Sequence, residues 1–338
     1  MKICVLCILP ETFPGIRFNE EGLCQYCLNY KGKAKLAEQR KKLKEEFEGL
    51  LLSTGHGTYD GLMSWSGGKD STYTLTILKE RYGLNILAFS FDHGFVSERA
   101  RQNMWRVADK LGVDLLIFKP RFDLIRRVFV GSMNGNLYPK KALERASTIC
   151  NSCMGLVKFI ALKLAIEKNI PFIFFGWSPG QLPLSSAIFK TNPPMIKAMM
   201  EATASPLQKI VGDELQPYFL TEKDFADASR FPYYISPLAF LEYDEEEIFA
   251  RVKKLGWEKP DDTDPNSTNC LMNAFANTVH QEQMGYHPYV LELANLVREG
   301  LLSREEALAR INTPPNTEII QMVKERLGLS SSDSPEQR

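Results

Sequence analysis

The segment Ser66-Gly67-Gly68-Lys69-Asp70-Ser71 constrains this chain more than any other. It joins an apolar run, Tyr59 to Trp65, to residues Thr72 to Tyr82, whose spacing is helical. Two adjacent glycines let a backbone turn tightly and aim its N–H groups at an anion. The following helix N-terminus adds the positive end of its dipole. Lys69 can neutralise phosphate charge, and Ser66 and Ser71 can donate hydroxyl hydrogen bonds. Asp70 would repel a bare phosphate but suits the Mg²⁺ that accompanies one. The lysine does not follow the four-spacer glycine pattern of the Walker loop.

The flanking pattern gives the fold class. Apolar strands are expected at Tyr59 to Trp65, Asn85 to Phe91, Val113 to Phe118 and Pro171 to Phe175. Helical spacing lies between them, at Ser97 to Leu111 and Cys150 to Lys168. Strands alternating with amphipathic helices predict a doubly wound parallel α/β sheet. Residues 177 to 235 are proline-rich and read as irregular. Further helices are expected at Asp244 to Leu255, with Asp244 as cap, and at Tyr289 to Arg298. Another begins at Ser303, with Glu306 in capping-box position. The tail from Ser330 to Arg338 reads as disordered. Leu293, Leu296 and Val297 suit helix packing, or a dimer contact.

In this setting the loop resembles the SGGxDS PP-loop of the ATP pyrophosphatase (adenine nucleotide alpha hydrolase-like) superfamily. The resemblance implies a HUP-type fold and a specific chemistry. ATP is split between its α and β phosphates, a substrate oxygen is adenylated, and a nitrogen or sulfur nucleophile then displaces AMP. Ser66 to Ser71 would bind the pyrophosphate, with Lys69 and Asp70 catalytic. Phe91-Asp92-His93-Gly94 is similar to the DHG stretch many of these enzymes carry. This makes Ser90, Phe91 and Asp92 candidates for the adenosine side, against the reading of a plain turn. Gly176, after the fourth strand, is a candidate pocket residue.

The seven cysteines fall into two groups. Cys4-x2-Cys7-x16-Cys24-x2-Cys27 has the two-knuckle spacing of a structural zinc ribbon. Cys150, Cys153 and Cys270 form the second group. Three thiolates could hold three irons of a [4Fe–4S] cluster and leave one iron open for a ligand such as sulfide. Unrelated buried cysteines, or a redox pair with a bystander, are the plainer alternative. The first arrangement resembles iron–sulfur PP-loop enzymes that thiolate tRNA. The ribbon stretch, with Pro14 to Cys24, also resembles N-acetyl sugar amidotransferases of lipopolysaccharide biosynthesis, which use ammonia.

Lys plus Arg and Asp plus Glu both total 41 among 338 residues. A zero balance does not favour a dedicated nucleic-acid binder, so tRNA is allowed but not preferred over a small-molecule or nucleotide-sugar acceptor. Sulfur transfer needs a sulfur donor, and ammonia transfer needs a partner glutaminase. A homodimer is allowed. A nucleotide-binding protein without activity is a third reading. Met1 to Pro10 is too short for a secretory signal, and no apolar run of about 18 residues is evident. A cytoplasmic location, with reduced thiols and no membrane contact, is expected. The expected organisation is a ribbon at 1–30, a helical linker at 31–57, the ATP-binding domain at 58–260 and a helical segment at 261–338. The lysines and glutamates of residues 31 to 52 suggest a solvated helix, or a basic surface for an acidic substrate. His56, His93, His280 and His287 suit loop or packing roles.

Overall fold

The computed structural model describes residues 2–55, 57–133, 137–264 and 267–329. The expected tail and His56 lie outside these. In chain order the elements are α1 (Gln25–Leu28), α2 (Lys33–Ser53), β1 (Gly61–Ser64), α3 (Lys69–Glu80), β2 (Ile86–Phe91), α4 (Glu98–Leu111), β3 (Asp114–Phe118), α5 (Phe122–Gly131) and α6 (Thr148–Glu167). There follow β4 (Phe172–Phe175), β5 (Ile188–Lys190), α7 (Pro193–Val211), β6 (Tyr233–Ile235), α8 (Glu245–Lys254), α9 (Met272–Met284), α10 (Val290–Glu299), α11 (Arg304–Asn312) and α12 (Thr317–Leu327).

The six strands form one sheet in the order β3-β2-β1-β4-β6-β5. All pairings are parallel except β5 with β6. Alternate side chains feed two cores, as a strand period of two requires. Leu62, Leu87, Phe89 and Ile173 pack on one face, and Met63, Ile86, Ala88 and Phe174 on the other. The strand order reverses between β1 and β4. Ligands of open α/β sheets bind beyond the strand ends at such a switch point.

Three expectations change. Residues 177 to 235 hold two short strands and the 19-residue α7. Asn192 caps this helix, and two prolines occupy its first turn, where a missing N–H costs nothing. Pro206 lies within the helix rather than ending it. Helix α6 is long and apolar enough by composition to cross a bilayer, yet it is a core helix of the α/β body. Its neighbours include β1, α5, α7 and α9. Helix α2 is not merely a solvated linker. It buries Phe47 among Phe174, Phe240 and Tyr82, and Arg40 bonds the Ala239 carbonyl at 3.2 Å and Glu299.

The N-terminal ribbon shares its core with the far end of the chain. Ile8, Leu9 and Phe13 pack with Tyr286, Val290, Leu291, Leu293 and Leu296. Leu293 and Leu296 are thus intramolecular core, with Val297 packed beside them. Arg304 donates to the carbonyls of Cys7 at 3.0 Å and Cys4 at 3.2 Å. Both expected caps form, Asp244 accepting from Glu247 N–H and Ser303 from Glu306 N–H.

Candidate active site and metal centres

The loop between β1 and α3 is held from outside. Gly67 has φ +81°, and a Cβ there would meet the Ala100 carbonyl at 3.2 Å, so the position suits only glycine. Trp257 Nε1 donates to the Gly67 carbonyl at 3.0 Å, and Trp65 Nε1 donates to Thr72 Oγ1 at 3.0 Å. Trp257 thus fixes the direction of the Gly67 carbonyl, and the Gly68 N–H donates to Ser66 Oγ at 3.4 Å. Ser66 and Ser71 hydroxyls lie 3.0 Å apart, and Ser71 also bonds the Gly68 carbonyl. Gly176 is not merely a lining residue. A Cβ there would lie 2.4 Å from Ser71 Cα, so the end of β4 touches the backbone of α3 directly.

Lys69 Nζ sits among Asp70 Oδ1 at 2.9 Å, Tyr243 OH at 3.1 Å and Glu245 Oε1 at 3.1 Å. Arg310 pairs with Glu245 at 2.7 Å behind it. Burial works against the Lys69 ammonium, but Asp70, Tyr243 and Glu245 outweigh it and hold the lysine above its ordinary range. In this conformation Lys69 fixes Asp70. The two residues the sequence pairs as catalytic therefore form one ion pair.

The segment Ser267 to Cys270 closes over the loop. The Lys69 backbone N–H donates to Thr268 Oγ1 at 3.2 Å, so an oxygen already occupies the mouth of α3. A Cβ on Gly68 would strike that same hydroxyl at 2.9 Å. Two residues on, Cys270 pairs with Val96 in an isolated bridge. Its Sγ lies 3.8 Å from His93 Nε2. Burial lowers His93 to about 4 and raises the Cys270 thiol to about 12. Cys150 and Cys153 stand on the first turns of α6 and pack on the same core as Cys270. Burial raises both thiols, and for Cys153 the neighbouring Cys270 and Cys150 add to it. All three are half-buried against the same core, and Cys153 lies near enough to Cys150 and Cys270 to feel their charges. Three thiols are the donor chemistry of a [4Fe–4S] cluster with one open iron, but their sulfurs do not converge as those of the N-terminal four do.

The adenosine-side candidates are buried at the end of β2. Ser90 and Phe91 lie in the strand, and Phe91 stacks on Phe118 at 6.2 Å. Asp92 accepts from Gly94 N–H at 3.0 Å and faces Arg101 at 3.6 Å and Lys119 at 3.8 Å. These contacts are those of a charged turn beside a basic pair.

Cys4, Cys7, Cys24 and Cys27 bring their sulfurs within 4.8 Å of one another, the one such group among the described residues. Separations of 3.7, 3.7 and 3.6 Å hold for Cys4–Cys27, Cys7–Cys24 and Cys24–Cys27. Bonds of about 2.3 Å to tetrahedral zinc would separate sulfurs by about 3.8 Å, so the set fits Zn²⁺. Cys24 N–H donates to Cys4 Sγ, and Arg298 lies 4.0 Å from Cys27 Sγ, both stabilising thiolate charge.

Like Thr268 and Trp257, a further residue near the site carried no signal in the sequence. Glu292 on α10 accepts from Ser178 Oγ and Gln181 Nε2, each at 3.1 Å. Burial first, then the Asp70 charge, raises it to about 7, while its two hydrogen bonds and Lys69 oppose the rise. Nothing in its local spacing marks it, because its neighbours come from the loop after β4.

No family model matches the chain. An uncharacterized protein of Methanocaldococcus jannaschii is 25% identical over 330 residues, covering 96% of this chain and 99% of that protein. Similar solved structures include the U34-tRNA thiolase NcsA from Methanococcus maripaludis with its [4Fe-4S] cluster, 16% identical, covering 98% of this chain and 91% of that one, TM-score 0.39. The NMN synthetase from Francisella tularensis is 13% identical, covering 88% and 98%, TM-score 0.39. The phosphoadenylyl-sulfate reductase from Candida auris is 12% identical, covering 68% and 89%, TM-score 0.33. At such identities the activity has to be read from the side chains described above.

Proposed function

We propose that this chain is an ATP-dependent transferase that adenylates a substrate oxygen and then replaces that oxygen, with sulfur as the incoming atom. One observation carries the reading. The segment Ser267 to Cys270 touches the Lys69 amide at one end and supplies a half-buried thiol of the second cysteine group at the other.

In the first step the acceptor's carbonyl oxygen attacks the α phosphorus of ATP. The Pα–O–Pβ bond breaks and pyrophosphate leaves. The amides of Gly68 and Lys69 and the positive end of α3 would hold the departing charge. Binding would require the Thr268 hydroxyl to yield its place to a phosphate oxygen. Asp70, oriented by Lys69 and Tyr243, would hold Mg²⁺ against the phosphates. In the second step the nucleophile attacks the activated carbon, and the C–O bond breaks as AMP departs with the oxygen. Cys150, Cys153 and Cys270 would hold a [4Fe–4S] cluster, which supplies an open iron site for sulfide. The apolar wall around the thiols keeps water from that carbon. Sulfide would come from a donor protein.

Turnover must release AMP and pyrophosphate; ADP as product sinks the reading. Anaerobically prepared protein should be brown and contain iron. Cys150→Ala should remove the visible absorbance while the four ribbon thiols keep their zinc. A colourless, iron-free protein that still makes AMP would transfer the nitrogen of ammonia instead, with a partner glutaminase as source.

A further inference from the structure

A cavity of about 770 Å³ opens between the ribbon, α2, the loop after β4 and α10. It is distinct from the loop at the head of α3, and none of the residues proposed above to hold ATP or metal lines it. One wall is apolar, built from Leu36, Leu43, Leu182 and Leu184. Tyr26, Tyr30, Lys31, Arg145 and Arg298 also line it.

Charge in the cavity is unbalanced. Its acidic lining residue, Glu299, is already tied to Arg40. Arg145 is exposed to the cavity and anchored on two carbonyl oxygens, Gly180 at 2.8 Å and Gln181 at 3.0 Å. Arg298 is held by Asn295 and turns towards Cys27 and the Tyr26 ring. Among the described residues neither arginine is paired with a carboxylate. Guanidinium groups that face a cavity without a carboxylate partner mark a place for an anion.

The cavity also has a direction. Along α10, Glu292, Asn295 and Arg298 recur at three-residue steps on adjoining faces. Glu292 feels the charges of Asp70 and Lys69. Asn295 bonds the Gly180 carbonyl at 2.8 Å, and Arg298 lines the cavity. Six residues of helix span about 9 Å, so Arg298 in the cavity lining and Glu292 stand on the order of 9 Å apart along α10. The volume lies in the range of small-molecule sites of about 300 to 1,000 Å³.

We propose that this cavity binds a phosphate-bearing small molecule of nucleotide size, ring against Tyr26 and the leucines, phosphate against Arg145. Its identity as the acceptor rests on the adenylation reading, whereas its binding does not. A long polynucleotide is disfavoured by the chain's zero net charge.

The test is calorimetric titration of the intact protein with UDP-glucose, after the ATP loop is saturated with a non-hydrolysable ATP analogue. Binding of the analogue is measured first and separately, so loss of the adenylation reading is visible on its own. UDP-glucose should bind alongside the analogue at or below about 1 mM. Arg145→Gln should weaken it roughly tenfold, and Lys31→Gln, on the same cavity lining, roughly threefold. Absence of binding, equal binding by both variants, or displacement by the analogue overturns the proposal. So does a single-stranded oligonucleotide that binds more tightly than UDP-glucose and is blocked by it.

Discussion

The two cysteine groups both contain a C-x2-C pair, yet the fold uses them oppositely. In the ribbon, two such pairs on short turns meet face to face, with sulfurs 3.6 to 3.7 Å apart. In the second group, Cys150 and Cys153 rise from the first turns of α6, and the third thiol arrives from a loop more than a hundred residues later. The ribbon builds its four-sulfur set locally, while its apolar side chains close against α10. The trio draws on α6 and on a loop far along the chain. The same spacing therefore gives a preassembled set of sulfurs in one place and two members of a long-range trio in the other.

Substituting one ligand on each side should break the symmetry. Cys24→Ser should reduce zinc from about one per chain to none and expose the first thirty residues to protease, a loss on the order of the metal's whole contribution to that unit. The α/β body should remain folded. If zinc stays bound stoichiometrically, the four-thiolate assignment is wrong. On the other side, Gly176→Ala places a Cβ 2.4 Å from Ser71 Cα, where only backbone movement can relieve it. It should cost upwards of about 3 kcal/mol and abolish ATP binding, with zinc content unchanged. Gly49→Ala is the control, since nothing lies within 4 Å of its Cβ and the site is helical. Retained nucleotide affinity in the Gly176 variant would mean that the close contact of β4 with α3 does not shape the loop.

The ribbon's dependence on the far end of the chain can be sharpened separately. Arg304 ties the carbonyls of Cys4 and Cys7 to α11. Arg304→Ala should cost about 2 kcal/mol, measured by denaturant melting, and speed zinc loss to a chelator. Iron content should not move. An equal loss of iron would show that the two metal regions are not independent.

The same contrast explains what the sequence could disclose. Loop, strands and cysteine spacing were readable because each is local: glycines beside an apolar run, a second apolar run along Ile86 to Phe91, two residues between thiols. Helix α7 was not, because its prolines mark irregular chain in a sequence but cap a helix when Asn192 precedes them. Thr268, Trp257 and Glu292 were invisible for another reason. Each acts on the loop from more than 180 residues away, and no periodicity near them records where they end up. The sheet's switch point joins pieces whose relation exists only after folding.

Helix α10 lies between the two regions, and Glu292 measures the cost of that position. Its carboxyl is raised from 4.5 to about 7, burial being the largest cause. A raised acid favours its protonated form in the folded chain, so its destabilising effect is absent below about pH 4.5 and grows as pH rises through about 7. Partial exposure reduces the full linkage value, leaving about 1 kcal/mol. Glu292→Gln keeps an oxygen for Ser178 and removes the charge. The variant should melt higher than the parent at pH 8, and the two should converge near pH 4. A difference independent of pH would place the effect in lost hydrogen bonds with Ser178 and Gln181 rather than in charge. Since Asp70 contributes to the raised value, binding of a divalent cation there should shrink the gap at pH 8. That makes this small effect a reporter on whether Asp70 takes the metal.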